Sequence, residues 1–124
     1  MKVKCIRLLD SDGREVEHSS WLALGRVHHV MAMHVAPDGK RFFSIVSHQP
    51  EGEWPQMGNH QAECFEVVSD VAPSNWKDWV HENSSGTSPA AWQVPGFYEA
   101  FYDHEPAAYS IFDRERAVIL SEDP

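Results

Sequence analysis

Eight histidines, two cysteines and nineteen carboxylates give this 124-residue chain the usual catalytic side chains, so their spacing decides what they can do. His28 and His29 are adjacent; on a strand they face opposite ways and cannot share an ion. His28 and His34 share a face but lie about 20 Å apart at strand rise. HExxH, CxxC and Cys-x-His spacings are absent. Cross-strand pairing of His34 with His48 or His60 needs a register that the sequence does not reveal. The imidazoles therefore read as surface or half-buried polar groups, with no metal and no cofactor. A G-x-S-x-G elbow is also absent. Cys64 lies between Glu63 and Phe65, where a neighbouring acid raises the thiol pKa, the wrong direction for a nucleophile. No carboxylate pair sits where one would be tuned as acid and the other as base. Glycine-rich phosphate loops and basic aromatic patches are missing too. No catalytic residue emerges, and the expectation is a non-enzymatic protein.

The elements that would position any site follow from apolar patterning. The central stretch is Gly25 to Ser47, two strand-like arms joined at Ala36-Pro37-Asp38-Gly39-Lys40. Pro37 presets φ at the first corner, and Gly39 accepts positive φ, giving a type I turn closed by a bulged glycine. Neither arm, Val27 to Val35 or Arg41 to Ser47, alternates cleanly between polar and apolar. A sheet with apolar groups on both faces must be covered twice or closed on itself. Val3 to Leu9 reads as a first strand, with Arg14 to Glu17 a short return. Trp21 is expected as a lid on the core. Residues 48–60 hold two Pro and two Gly and read as a long loop carrying Trp54, either an exposed anchor or a plug on the sheet. Glu63 to Asp70 reads as a further strand. Trp76, Trp79 and Val80, at i, i+3 and i+4, predict a short helix over 76–82, with 83–89 a flexible linker. Helix is expected from Ala90, with Pro95 at a first helical position, and again from Pro106 to Leu120. Glu122-Asp123-Pro124 reads as a frayed end. The chain is thus one domain, 1–124, mainly β over 1–70 and mainly helical over 71–124. Strands first and helices last predict an α+β fold. Its β part is a small twisted antiparallel sheet or a partly open SH3-like barrel, with C-terminal helices packed on one side.

Charge is uneven. Net charge is −9, yet residues 1–46 carry seven Lys/Arg against five Asp/Glu and residues 47–124 carry three against fourteen. Such a field repels nucleic acid and anionic membrane and attracts basic partners. No apolar run approaches the roughly 18 residues of a membrane span. The start, MKVKCIRLLDSDG, lacks a long apolar segment and a cleavage site, so a cytoplasmic, bacterial-type protein with reduced, buried Cys5 and Cys64 is expected.

Three segments together carry a resemblance. They are Leu24-Gly25 ahead of the Val27–Val35 strand, Phe65-Glu66-Val67-Val68 running into Pro73-Ser74-Asn75-Trp76, and Gly96-Phe97-Tyr98-Glu99-x-Phe101-Tyr102-Asp103-x-x-Pro106. The arrangement is similar to small bacterial immunity proteins of polymorphic and contact-dependent growth-inhibition toxin systems. The resemblance implies neutralisation of a cognate toxin domain, often a basic nuclease, by covering its active site. On that reading the candidate toxin-binding residues are Glu51, Glu53 and Trp54 in the long loop, with Glu63 and Glu66 on the adjoining strand. Glu99, Asp103 and Glu105 form a second candidate patch. The alternative is a small-molecule-binding or adaptor domain, signalled by a deep apolar pocket under Trp21 or Trp54.

Overall fold

A computed structural model describes residues 1–124. Eight strands form two antiparallel sheets. Strands β1 (Lys2–Cys5), β2 (Val27–His29) and β6 (Phe65–Ser69) make the smaller, in the order β2-β1-β6. Strands β3 (Ala32–Val35), β4 (Arg41–His48), β5 (Gln56–Gln61), β7 (Trp76–His81) and β8 (Ser84–Pro89) make the larger, in the order β5-β4-β3-β8-β7. Helices α1 (Phe97–Tyr102) and α2 (Pro106–Glu122) follow, so the architecture is α+β as expected.

The Pro37-Asp38-Gly39 turn forms as its residue types require. Gly39 takes φ +86° and its amide donates to Ala36 O, while the Ala36 amide donates to Lys40 O. The arm before it, however, serves both sheets. The Val30 amide donates to Met1 O and the next amide, of Met31, donates to Ser44 O. Val30 and Met31 bury their side chains in different cores. One core holds Val3, Cys5, Leu8, Leu22, Val30, Ile45, Cys64 and Phe65. The other lies under the helices and is aromatic: Trp92, Phe97, Phe101 and Phe112 join Met31, Met57, Ala108 and Ile119. The imperfect alternation of Val27–Val35 thus reflects a strand covered on both sides.

Three expectations are corrected. Residues 76–82 are not helical; β7 and β8 form a hairpin in full register, from Trp76 opposite Pro89 to His81 opposite Ser84, so residues 71–124 hold two strands ahead of their helices. The expected linker is β8, held between β3 and β7. Trp79 lies flat over Gly86: a Cβ there would come 2.6 Å from the indole, so only glycine admits this packing. Residues 56–60 of the expected long loop are strand β5, paired to β4 from Phe42–Gln61 to His48–Gln56.

Helix boundaries also shift. Ala90–Gln93 form a 3-10 turn, and α1 starts at Phe97 after Gly96 at φ +86°, so Pro95 is not its first residue. Pro106 does open α2, where its missing N–H is harmless. The chain's end is bound rather than frayed. The Asp123 carboxylate accepts from Ser69 Oγ (2.7 Å) and pairs with the amine of Met1 (3.0 Å). Glu122 accepts from the Ser74 amide (2.7 Å) and the Ser74 hydroxyl, and Lys2 donates to Pro124 O (2.7 Å).

Candidate functional site

The turn between β4 and β5 carries Glu51 and Glu53, both exposed. Gly52 at φ +77° and the Glu53 amide, which donates to Pro50 O, shape it. Trp54 then folds back onto the helices. Its ring stacks nearly parallel on His104, 4.6 Å away, and lies 5.4 Å from Phe101 and 5.2 Å from Tyr109. Trp54 is half-buried and plugs the sheet–helix junction, which removes it as a freely displayed anchor.

The other side of this junction is the α1–α2 corner. The His104 amide donates to Phe101 O and the Glu105 amide to Ala100 O, the paired bonds of a Schellman ending. His104 occupies the left-handed position, φ +59°, where glycine is usual. That conformation costs a non-glycine residue about 1–2 kcal/mol. Stacking on Trp54 returns about 0.5–1.5 kcal/mol. The stack brings the chain at Glu53, beside Trp54, to the chain at Asp103 and Glu105, which flank His104. Gln49 adds a second tie: its amide donates to the Tyr109 hydroxyl and its oxygen accepts from Arg116. Two candidate groups from distant parts of the sequence therefore form one acidic corner: Glu51, Glu53, Asp103 and Glu105. None of the four is in an ion pair; four side-chain cations, Lys2, Lys40, Arg114 and Arg116, pair instead with Asp123, Asp38, Glu115 and Asp113. Glu99 stands one helical turn earlier, also exposed and unpaired.

Glu63 and Glu66 do not join the corner. They lie beyond the far end of β5, six residues and about 20 Å of strand away. Glu66 sits opposite Lys4 in the β1–β6 register, and Glu63 shares a hollow with Arg7, Lys40 and Arg41. Their local field is mixed, not acidic.

Beside the corner runs an open groove of two connected hollows, about 860 and about 670 Å³. Met57, Asn59 and Tyr102 belong to both. Tyr102 marks the divide, its hydroxyl donating to Met57 O (2.9 Å). Trp21 and Trp54 line the larger hollow. Trp21 is 55% exposed, contrary to its expected role as a core lid, and Leu22 takes the buried place instead. Ser19 Oγ sets that choice by accepting both the Trp21 and Leu22 amides. Two wall residues, Tyr102 and His104, are not distinguished by sequence as groove-forming. Their signal is faint: once Phe97 and Phe101 take the core, the Tyr98–Tyr102 stripe must face outward.

Burial shifts the titration of several groups near the groove. Burial lowers the pKa of His60; burial, then Arg26 and His60, lowers that of His28, whose Nε2 is buried without a partner. Burial raises both thiols, and Cys5 and Glu63 add to the rise at Cys64. His29 Nε2 meets the backbone carbonyl of Asp123 at 2.6 Å. No three His, Cys, Asp or Glu side chains meet in an arrangement suited to a metal ion. No helix is long and apolar enough to cross a membrane. No known protein family, curated protein or solved structure matches this chain.

Proposed function

We propose that this chain is a non-enzymatic immunity protein that binds and neutralises a basic toxin domain, of nuclease type, by covering its active site in the cytoplasm. The observation carrying this reading is the acidic corner. Glu51, Glu53, Asp103 and Glu105 are exposed, have no cation partner, and are held on a rigid junction by the Trp54–His104 stack. Uncompensated charge costs a fold some self-repulsion and speeds encounter with a partner of opposite sign, to about 10⁸ M⁻¹s⁻¹ or above at low salt. The test is to look for a large secreted protein encoded immediately upstream and to measure association kinetics with its C-terminal domain. Changing the four corner acids to lysine should slow association at least about tenfold and flatten its salt dependence. An unchanged association rate would sink this reading.

A second reading, a small-molecule-binding or adaptor domain, is favoured by the hollow between Trp21 and Trp54. Its open side suits an extended segment better than an enclosed ligand. Native mass spectrometry of the purified chain checks this reading: a stoichiometric small molecule, displaced on replacing Trp21 by Ala, would support it.

A further inference from the structure

We propose that the smaller hollow, between α1 and the β7–β8 hairpin, receives an arginine-type side chain from the basic partner. This rests on the immunity reading for the source of that side chain, but not for the chemistry of the hollow.

The walls supply aromatic faces from two elements. Tyr98 and Tyr102 stand one turn apart on α1, and Trp79 faces them from β7. Phe97 lies beneath, stacked 5.7 Å from Trp92. Glu99 stands among them, and no Lys or Arg lines the hollow; its other titratable groups are His34 and His81. His34 is committed to the sheet face, stacked 5.9 Å from Phe42 and 5.8 Å from Trp79.

Electron-rich ring faces attract a cation, and a guanidinium stacks flat on them where an ammonium cannot. The rings stay neutral phenols. Burial, then the nearby Tyr102, push the Tyr98 hydroxyl up to about 12, with Ser88 partly opposing the rise. Glu99 can pair with the guanidinium once it is seated. At about 670 Å³ the hollow has room for the side chain and part of its backbone. Trp92, another wall residue, is fully buried with its indole N–H unpaired.

The test titrates the full chain with N-acetyl-arginine amide and with its neutral isostere, N-acetyl-citrulline amide. NMR would follow the Trp79 indole and the Tyr98 and Tyr102 rings. The arginine probe should shift these signals and bind about tenfold tighter than citrulline. Glu99→Gln, at an exposed position, should remove most of that difference, and Tyr98→Phe, which keeps the ring, should retain it. Equal binding of the two probes, or no shift at Trp79 with either, overturns the proposal. The four-lysine corner variant separates the two ideas. It should lose fast association with the toxin domain yet keep its response to the arginine probe. A wild-type protein that prefers arginine but ignores the toxin domain defeats the immunity reading alone. One that binds the toxin domain without preferring arginine defeats this inference alone.

Discussion

Asp123 and Glu122, at the end of α2, have both carboxylate oxygens occupied. Ser69, the Met1 amine and Lys2 surround the first, and the Ser74 amide and hydroxyl hold the second. The corner acids Glu51, Glu53, Asp103 and Glu105 carry the same charge with no cation beside them. Proximity of cations does not explain the difference. Arg116 reaches the corner loop at Gln49, 2.7 Å away, yet pairs with Asp113. Where this fold uses negative charge to close itself, it surrounds the charge with donors. Charge left bare on a rigid junction is not contributing to closure.

That contrast can be broken from either side. The largest effect on stability should come from Trp54→Ala. Removing a half-buried ring packed on His104, Phe101 and Tyr109 should cost about 2–3 kcal/mol, read from urea denaturation. It should also release the corner loop, so steering weakens although no acid is lost. Next, Asp123→Asn should lower the melting temperature and leave association with the proposed basic partner unchanged; the four-lysine variant should do the reverse. If both variants change both properties, the division between closing and steering acids is wrong.

Acidification sharpens the same contrast. Donors from Ser69 and Ser74 hold the Asp123 and Glu122 pKa values below ordinary. Their stabilisation is therefore present at neutral pH and lost as pH falls below about 4. Burial lowers the His28 and His60 pKa values, so the unfolded chain takes up protons first. Stability should accordingly begin to fall as pH drops through about 6.5. His28→Leu should flatten that upper part of a pH–stability curve and leave the lower part intact. The smallest effect is expected from His104→Gly. Relief of the left-handed backbone and loss of the Trp54 stack nearly cancel, to within about 1 kcal/mol. Trp54 emission should nevertheless shift to the red as water reaches its face.

The central turn was legible because Pro37, Asp38 and Gly39 each have one role there. The β7–β8 hairpin was not. Trp76, Trp79 and Val80 have helical spacing, while Ser84-Ser85-Gly86-Thr87-Ser88 lacks the β-branched and aromatic residues that mark strands, Thr87 apart. That strand forms because β3 and β7 flank it and Trp79 covers Gly86, none of which is local. The turn itself, at Glu82-Asn83, places Glu82 at φ +54° without the glycine that signals a hairpin. The acids of the site were legible singly. Their grouping was not, because the junction of Glu53 with Asp103 depends on an indole and an imidazole fifty residues apart in sequence. The bound terminus was missed for the same reason: Ser69 and Ser74 reveal their carboxylate partners only in three dimensions.

The handover at Val30 and Met31 has a mechanical consequence. One covalent run, 27–35, supplies an outer strand to the smaller sheet and an inner strand to the larger. Neither layer can peel away without tugging the other, so slow amide exchange in β1 and in β8 should share a single opening free energy. A nick between those two residues would leave β6, which lies between β5 and β7 in the chain, as the remaining covalent tie between the two sheets.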